Sequence, residues 1–129
     1  MGGFKLKEGM KLILEKTVKA EETAAKVASG ALDVFSTPML IAFMENTAFN
    51  LAQKELEDGD TTVGISVNIK HLKANLVGDL LKCEALLTKI DGKKLFFNVK
   101  VTYNDEIVGD GEHIRYIVNE KKFIEKIRG

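Results

Sequence analysis

Glu45 interrupts a run that is otherwise almost wholly apolar, Pro38-Met-Leu-Ile-Ala-Phe-Met-Glu-Asn-Thr-Ala-Phe-Asn-Leu-Ala-Gln53. At helical spacing its neighbours are Ile41, Ala42, Ala48, Phe49 and Ala52, whereas the polar stripe of the same helix runs through Asn46, Asn50, Gln53 and Glu57, about 100° round the cylinder. The carboxylate is therefore expected to point into the core or a cleft. Left unpaired there it would cost on the order of several kcal/mol or be driven towards protonation, the condition that makes general bases and acids. A partner is offered by Thr61-Thr-Val-Gly-Ile-Ser-Val-Asn-Ile-Lys-His71, in which Val63, Ile65, Val67 and Ile69 alternate with polar or small residues. Such alternation reads as a half-buried strand, and its period of two puts His71 on the apolar face, where it is expected to come within reach of Glu45. Each of these residues also has a structural reading. Glu45 suits a buried ion pair, His71 a hydrogen-bonded core histidine, and Thr37 an N-cap ahead of a proline at the first helical position.

The elements that must position these groups follow from periodicity. Residues 10–19 alternate as a strand, 21–30 read as short helical pieces or an irregular connection, and the long helix is expected over about 38–56. Its end is expected at Glu57-Asp-Gly-Asp60, with a left-handed glycine cap. Strands are then expected over 61–75, 79–90, 93–104 and 106–118, turning at Val77-Gly-Asp79, Asp91-Gly92 and Asn104-Asp105. Asp91-Gly92 is expected to adopt positive φ at both positions, and the four strands to form an antiparallel meander. Asn119 caps a short last helix whose Phe123, Ile124 and Ile127 are expected to face inward. A helix with so little polar surface must be covered nearly all round, so the fold class is α+β, with an antiparallel sheet wrapped around a long central helix. An exposed edge strand of that sheet would be protected by pairing with a second copy, which predicts a homodimer.

A chain of 129 residues that is 45% hydrophobic suits one domain, here 1–129, without staples. Nineteen basic residues balance nineteen acidic ones, which argues against nucleic acid as a partner. No apolar stretch reaches the ~18 residues of a membrane span, and Met-Gly-Gly-Phe-Lys-Leu6 resembles neither a leader nor a myristoylation signal, so the expected location is cytoplasmic. The lone Cys83 falls on the buried face of an alternating strand, and no metal-ligand spacing occurs.

Phe35-Ser-Thr-Pro-Met39, Met44-Glu-Asn-Thr-Ala48, Thr62-Val-Gly64, His71, Gly78-Asp79 and Gly111-Glu-His-Ile-Arg115 occur in this order, and the pattern resembles the hotdog-fold thioesterases of the fluoroacetyl-CoA thioesterase-like family. The resemblance runs from about Met10 to Gly129. It implies a hotdog fold and hydrolysis of an acyl-CoA thioester, with Thr37, Glu45 and His71 as the catalytic set. Phe35, Phe43, Met44 and Phe49 are candidate walls of an acyl pocket, each of which also suits ordinary core, and Gly64 and Arg115 are further candidate substrate contacts. Coenzyme A enters as part of the substrate, with no separate cofactor and no metal. Glu45 is then a general base or a nucleophile, His71 a proton relay or carbonyl polariser, and Thr37 a positioner of water or a nucleophile. The free amides at the start of the helix are candidate oxyanion donors, and Lys70, Lys73, Lys93, Lys94 and Arg115 are candidate surface cations for phosphates. Gly111, His113 and Arg115 recur without an assigned role, and the His113 face, shared with Gly109, suits solvent or a subunit contact. Rival readings are a non-catalytic acyl-CoA or small-ligand binding module and an acyl-CoA hydratase or dehydratase.

A regular helix starting at Thr37 places Glu45 eight residues on, about 12 Å along the axis. Either the Thr37-Pro38 segment folds back, with the helix starting near Ile41, or the site is shared between two chains. The shared site is the expected arrangement. Pairing of dimers into a tetramer stays open.

Overall fold

In the computed structural model, residues 5–129 are described; Met1–Phe4, the first part of the segment read as lacking a leader, lies outside them. The order of elements is β1 (Lys11–Thr17), a single 3-10 turn (Ala20–Glu22), α1 (Thr37–Gln53), β2 (Asp60–His71), β3 (Leu80–Asp91), β4 (Lys94–Tyr103), β5 (Glu106–Asn119) and α2 (Glu120–Arg128). The five strands make one antiparallel sheet in the order β1-β3-β4-β5-β2.

Helix α1 begins at Thr37 because Ser36 caps it, its hydroxyl accepting from the Met39 amide, and because Pro38 fits the first turn, where its missing N–H is no loss. It buries Leu40, Phe43, Met44, Thr47, Ala48, Leu51 and Ala52, one stripe at three- and four-residue spacing. The helix ends at Gln53, with Lys54 as its cap. That is earlier than expected: Gly59, at φ 92°, serves the reversal into β2 and does not cap the helix. The stripe packs on the alternating faces of Leu81, Cys83, Ala85 and Leu87 in β3 and Leu95, Phe97, Val99 and Val101 in β4. Cys83 is wholly buried, and burial pushes its thiol up to about 11, as expected of a packing residue.

Four expectations need correction. The last four strands are not a simple meander. Strands β3, β4 and β5 follow one another, but β2 pairs with β5 at one edge and the chain then crosses to place β3 beside β1. The first hairpin turns on Gly92 and Lys93, with Asp91 paired to Lys94, and only Gly92 has positive φ (63°). The second does use two positive-φ residues, Asn104 and Asp105. A register shift between Gly64 and Ser66 breaks the alternation of β2 and leaves Ile65 (52%) exposed in the single chain, while Val67, opposite His113, is 37% exposed because β2 is an edge. In α2, Ile124 and Ile127 face solvent, and only Phe123 is half-buried.

Gly109 and Gly111 let β5 and β2 run close together. A Cβ on Gly111 would sit 2.2 Å from the Asn68 carbonyl oxygen, and one on Gly109 would sit 2.8 Å from that of Lys70 and 2.9 Å from Leu40 Cδ2. Gly111→Ala must push backbone against backbone, which no rotamer change relieves. We expect a loss of about 3 kcal/mol or more, or failure to fold, in a denaturant titration; a midpoint within error of wild type would contradict this packing.

Candidate functional site

Two groups of polar side chains lie along α1, one at its N-terminal end and one at its middle. At its N-terminal end the Thr37 hydroxyl lies 2.8 Å from His71 Nδ1, joining the first residue of α1 to the last of β2. His71 Nε2 is buried and has no hydrogen-bond partner among the described residues. Both residues border an open cleft of about 250 Å³ whose walls include Phe35, Ser36, Leu72 and Lys73. Phe35 is fully buried beneath this cleft. The helix start offers fewer amides than its sequence suggested, since Pro38 has none and the Met39 amide is taken by Ser36. Of these first three positions only Thr37 has an N–H left for an oxyanion.

The second group surrounds Glu45, which is half-buried, not enclosed. Its Oε2 is 3.1 Å from the position a side chain on Gly64 would occupy, and His113 and Arg115 border the same point at 3.2 Å and 3.4 Å. Arg115 is no surface cation. It is 7% exposed, donates from Nε to the Thr62 hydroxyl (2.7 Å) and from Nη2 to the Thr62 carbonyl (3.1 Å), and lies over the Phe49 ring. His113 is 1% exposed and faces α1, so the expectation of a solvated or subunit-contacting face fails. Two glycines on that face made it look unfilled, whereas they are there to admit neighbouring backbone and Leu40.

The structure thus brings Thr37 to His71, and Glu45 to Gly64, Phe49 and Arg115. It does not bring His71 to Glu45: no hydrogen bond joins them among the described residues, and a helix regular from Thr37 puts Thr37 and Glu45 about 12 Å apart along its axis. The folded-back start near Ile41 is excluded by the same regularity. Phe43 belongs to the core cluster. Lys70 and Lys73 are exposed, Lys73 being paired with Glu106 at 2.8 Å. The His113–Arg115–Thr62 network was not legible as a unit, although the Gly-x-His-x-Arg spacing signalled that two of its members share a strand face.

Burial pulls both imidazoles below their ordinary 6.5. A backbone hydrogen bond at Lys73 partly opposes this for His71. For His113 the Ser66 carbonyl opposes it, the Arg115 charge adds to it, and the Glu45 charge opposes it. Just below pH 6.5 the unfolded chain therefore binds more protons than the folded one, and stability rises with pH across that window. The contribution is complete above 6.5 and is lost as pH falls through the lowered values. We expect a lower thermal midpoint at about pH 5.5 than at about pH 7, where most carboxylates are already ionised in both conditions. Equal midpoints by calorimetry would show that neither imidazole is held neutral.

Burial also draws the Arg115 guanidinium down from its ordinary value, with the Glu45 charge opposing the shift. No helix of the described residues is long and apolar enough to cross a membrane.

Residues 18–121 match a family model described as fluoroacetyl-CoA-specific thioesterase. The chain is 26% identical over 96 residues to the fluoroacetyl-CoA thioesterase of Streptantibioticus cattleyicolor, covering 74% of this chain and 69% of that protein. Its fold matches the solved structure of the fluoroacetyl-CoA thioesterase FlK with a TM-score of 0.89 at 22% identity, over 95% of this chain and 96% of that one. A hot-dog-like protein from Thermanaerovibrio acidaminovorans matches with a TM-score of 0.85 at 20% identity, over 93% and 89%. The α1-on-sheet architecture is thus a hotdog fold.

Proposed function

Since the chain belongs to the fluoroacetyl-CoA-specific thioesterase family, a family of thioester hydrolases, we propose that it cleaves an acyl-CoA thioester with Glu45, His71 and Thr37 as the catalytic set. The observation that carries this reading is the Thr37–His71 hydrogen bond at the cleft, with a buried His71 Nε2 left unpartnered. A buried polar atom without a partner is costly unless something else supplies one. In this reading that partner is the thioester oxygen. Thr37 donates to Nδ1, which fixes the tautomer with hydrogen on Nε2, and Nε2–H then donates to the carbonyl as it gains charge. Glu45 takes a proton from water; the resulting hydroxide attacks the carbonyl carbon, the C–S bond breaks, and the proton held by Glu45 passes to the departing sulfur. The products are a carboxylic acid and free coenzyme A. Gly64, Phe49 and Arg115 border the acyl group near Glu45, and Phe35 underlies the His71 side.

For these groups to act together the site must be shared. Strand β2 is an edge, and Ile65, Val67, Leu72, Leu76 and Val77 leave an apolar strip along it and the loop that follows. Antiparallel pairing of β2 with a second β2, centred on Asn68 and with Ile65 as the extra residue at the register shift, sets Gly64 of one copy opposite His71 of the other, on the face the two residues share. Glu45 of one protomer then faces Thr37 and His71 of its partner. The proposal includes a homodimer, and a cytoplasmic location suits the free, buried Cys83.

The test is release of free thiol from a panel of acyl-CoA esters, short to long and including halogenated acetyl groups. Release establishes the hydrolase and its preferred acyl group. Binding of every ester without release of thiol would point to the binding module.

A further inference from the structure

His113 is placed where it decides what Arg115 does. Its Nδ1 lies 2.8 Å from the Ser66 carbonyl, at the register shift of β2, and its Nε2 lies 3.1 Å from Arg115 Nη1. A carbonyl only accepts and a guanidinium only donates, so Nδ1 carries the hydrogen and Nε2 the lone pair. Phe97 stacks on the ring with centroids 6.3 Å apart. The two Thr62 bonds and His113 occupy three of the five N–H groups of Arg115. Arg115 Nη1 and Glu45 Oε2 flank the empty side of Gly64, yet no ion pair joins them within 4.0 Å among the described residues. Opposite charges this close in a partly dry site would ordinarily close into a bidentate pair.

We propose that His113 is a positioning residue that holds the Arg115 guanidinium back from Glu45: anchored to the Ser66 carbonyl, it offers Nε2 to Arg115 Nη1 and so keeps the carboxylate open to water. Without that acceptor, Nη1 is free to turn to the Glu45 carboxylate on the other side of the space above Gly64. The carboxylate is then capped and the base withdrawn from the water it must deprotonate. Substrate still binds, since the Thr37–His71 cleft is untouched and the two Thr62 bonds keep Arg115 at the acyl end. The catalytic consequence rests on the hydrolase reading above; the hydrogen-bond assignment does not.

Two substitutions separate the roles of the ring nitrogens. His113→Asn keeps a donor for Ser66 and removes the acceptor for Arg115; His113→Gln puts a carbonyl oxygen near the place of Nε2. With folding checked by thermal midpoint, His113→Asn is expected to lower kcat by about tenfold or more with KM nearly unchanged, and His113→Gln to recover most of the loss. In the wild type, nitrogen-15 NMR of the imidazole near pH 7 is expected to show Nδ1 protonated and Nε2 bare. An Nε2–H tautomer or an imidazolium would overturn the proposal, because Arg115 cannot donate to either. A folded His113→Asn enzyme with kcat within about twofold of wild type would overturn it too. A wild type that hydrolyses no thioester would remove the catalytic consequence, and the tautomer measurement would still decide the hydrogen-bond assignment.

Discussion

Replacing Glu45 with Gln lowers thiol release by about 10²- to 10⁴-fold, the range associated with a positioned general base, while acyl-CoA affinity stays within a few-fold of wild type. The amide has the size and shape of the carboxylate and fits the same half-buried place beside Gly64, but it cannot take a proton from water. A fall in affinity matching the fall in rate would instead make Glu45 a binding group, because uniform loss of binding leaves kcat unchanged at saturation. Direct attack by Glu45 on the carbonyl would also end with the amide, so the variant is read together with solvent oxygen-18 labelling of the wild type. Under the general-base route the label enters the acid product at once and never the Glu45 side chain; under the covalent route, water that opens the mixed anhydride at the Glu45 carbonyl leaves single-turnover label in Glu45.

The second large effect is restoration of activity by mixing two dead proteins. Glu45→Gln and His71→Ala are each expected to be inactive, yet co-refolded in equal amounts they recover about a quarter of wild-type activity, because half the dimers are mixed and each mixed dimer has one intact site of two. The physical basis is the length of α1. A regular helix from Thr37 holds Glu45, at its middle, about 12 Å along the axis from the Thr37–His71 pair, and the first two turns cannot bend to bring them together without breaking the buried stripe. If mixing restores nothing while each variant remains dimeric, each site is built within one chain. A charge placed on the exposed β2 edge, Val67→Glu, tests the same geometry from the other side. It leaves the single-chain core intact, places like charges close together across the proposed pairing, and is expected to give an inactive monomer by light scattering.

Much of this protein was legible before any coordinates. The amphipathic stripe of α1, the strand boundaries within a few residues and the burial of Cys83 all follow from local periodicity, which acts between residues close in sequence, whereas the cap expected at Thr37 is made by Ser36, one residue earlier. The resemblance carried by Thr37, Glu45, His71 and the Gly-x-His-x-Arg spacing led to the right fold and family, because chemistry at fixed spacings is itself a local pattern.

What needed the tertiary structure was every question of partner. Alternation says which face of a strand is apolar, not which strand lies beside it; β2 could therefore be recognised without showing that it pairs with β5. One extra residue at the Gly64–Ser66 register shift turned Ile65 outward, and a bulge leaves no mark in a period of two. Gly109 and Gly111 looked like an empty, solvent-facing row because glycine carries no hydropathy; only the 2.2 Å approach of the Asn68 carbonyl shows that the space is already filled. For the same reason His113 and Arg115 read as surface residues and are buried, since their face is defined by Leu40, Thr62 and Ser66, all more than forty residues away in sequence. The residue types that do chemistry were determined by the sequence itself; which of them touch was decided by long-range packing, because a contact depends on two distant segments and local periodicity reports on only one.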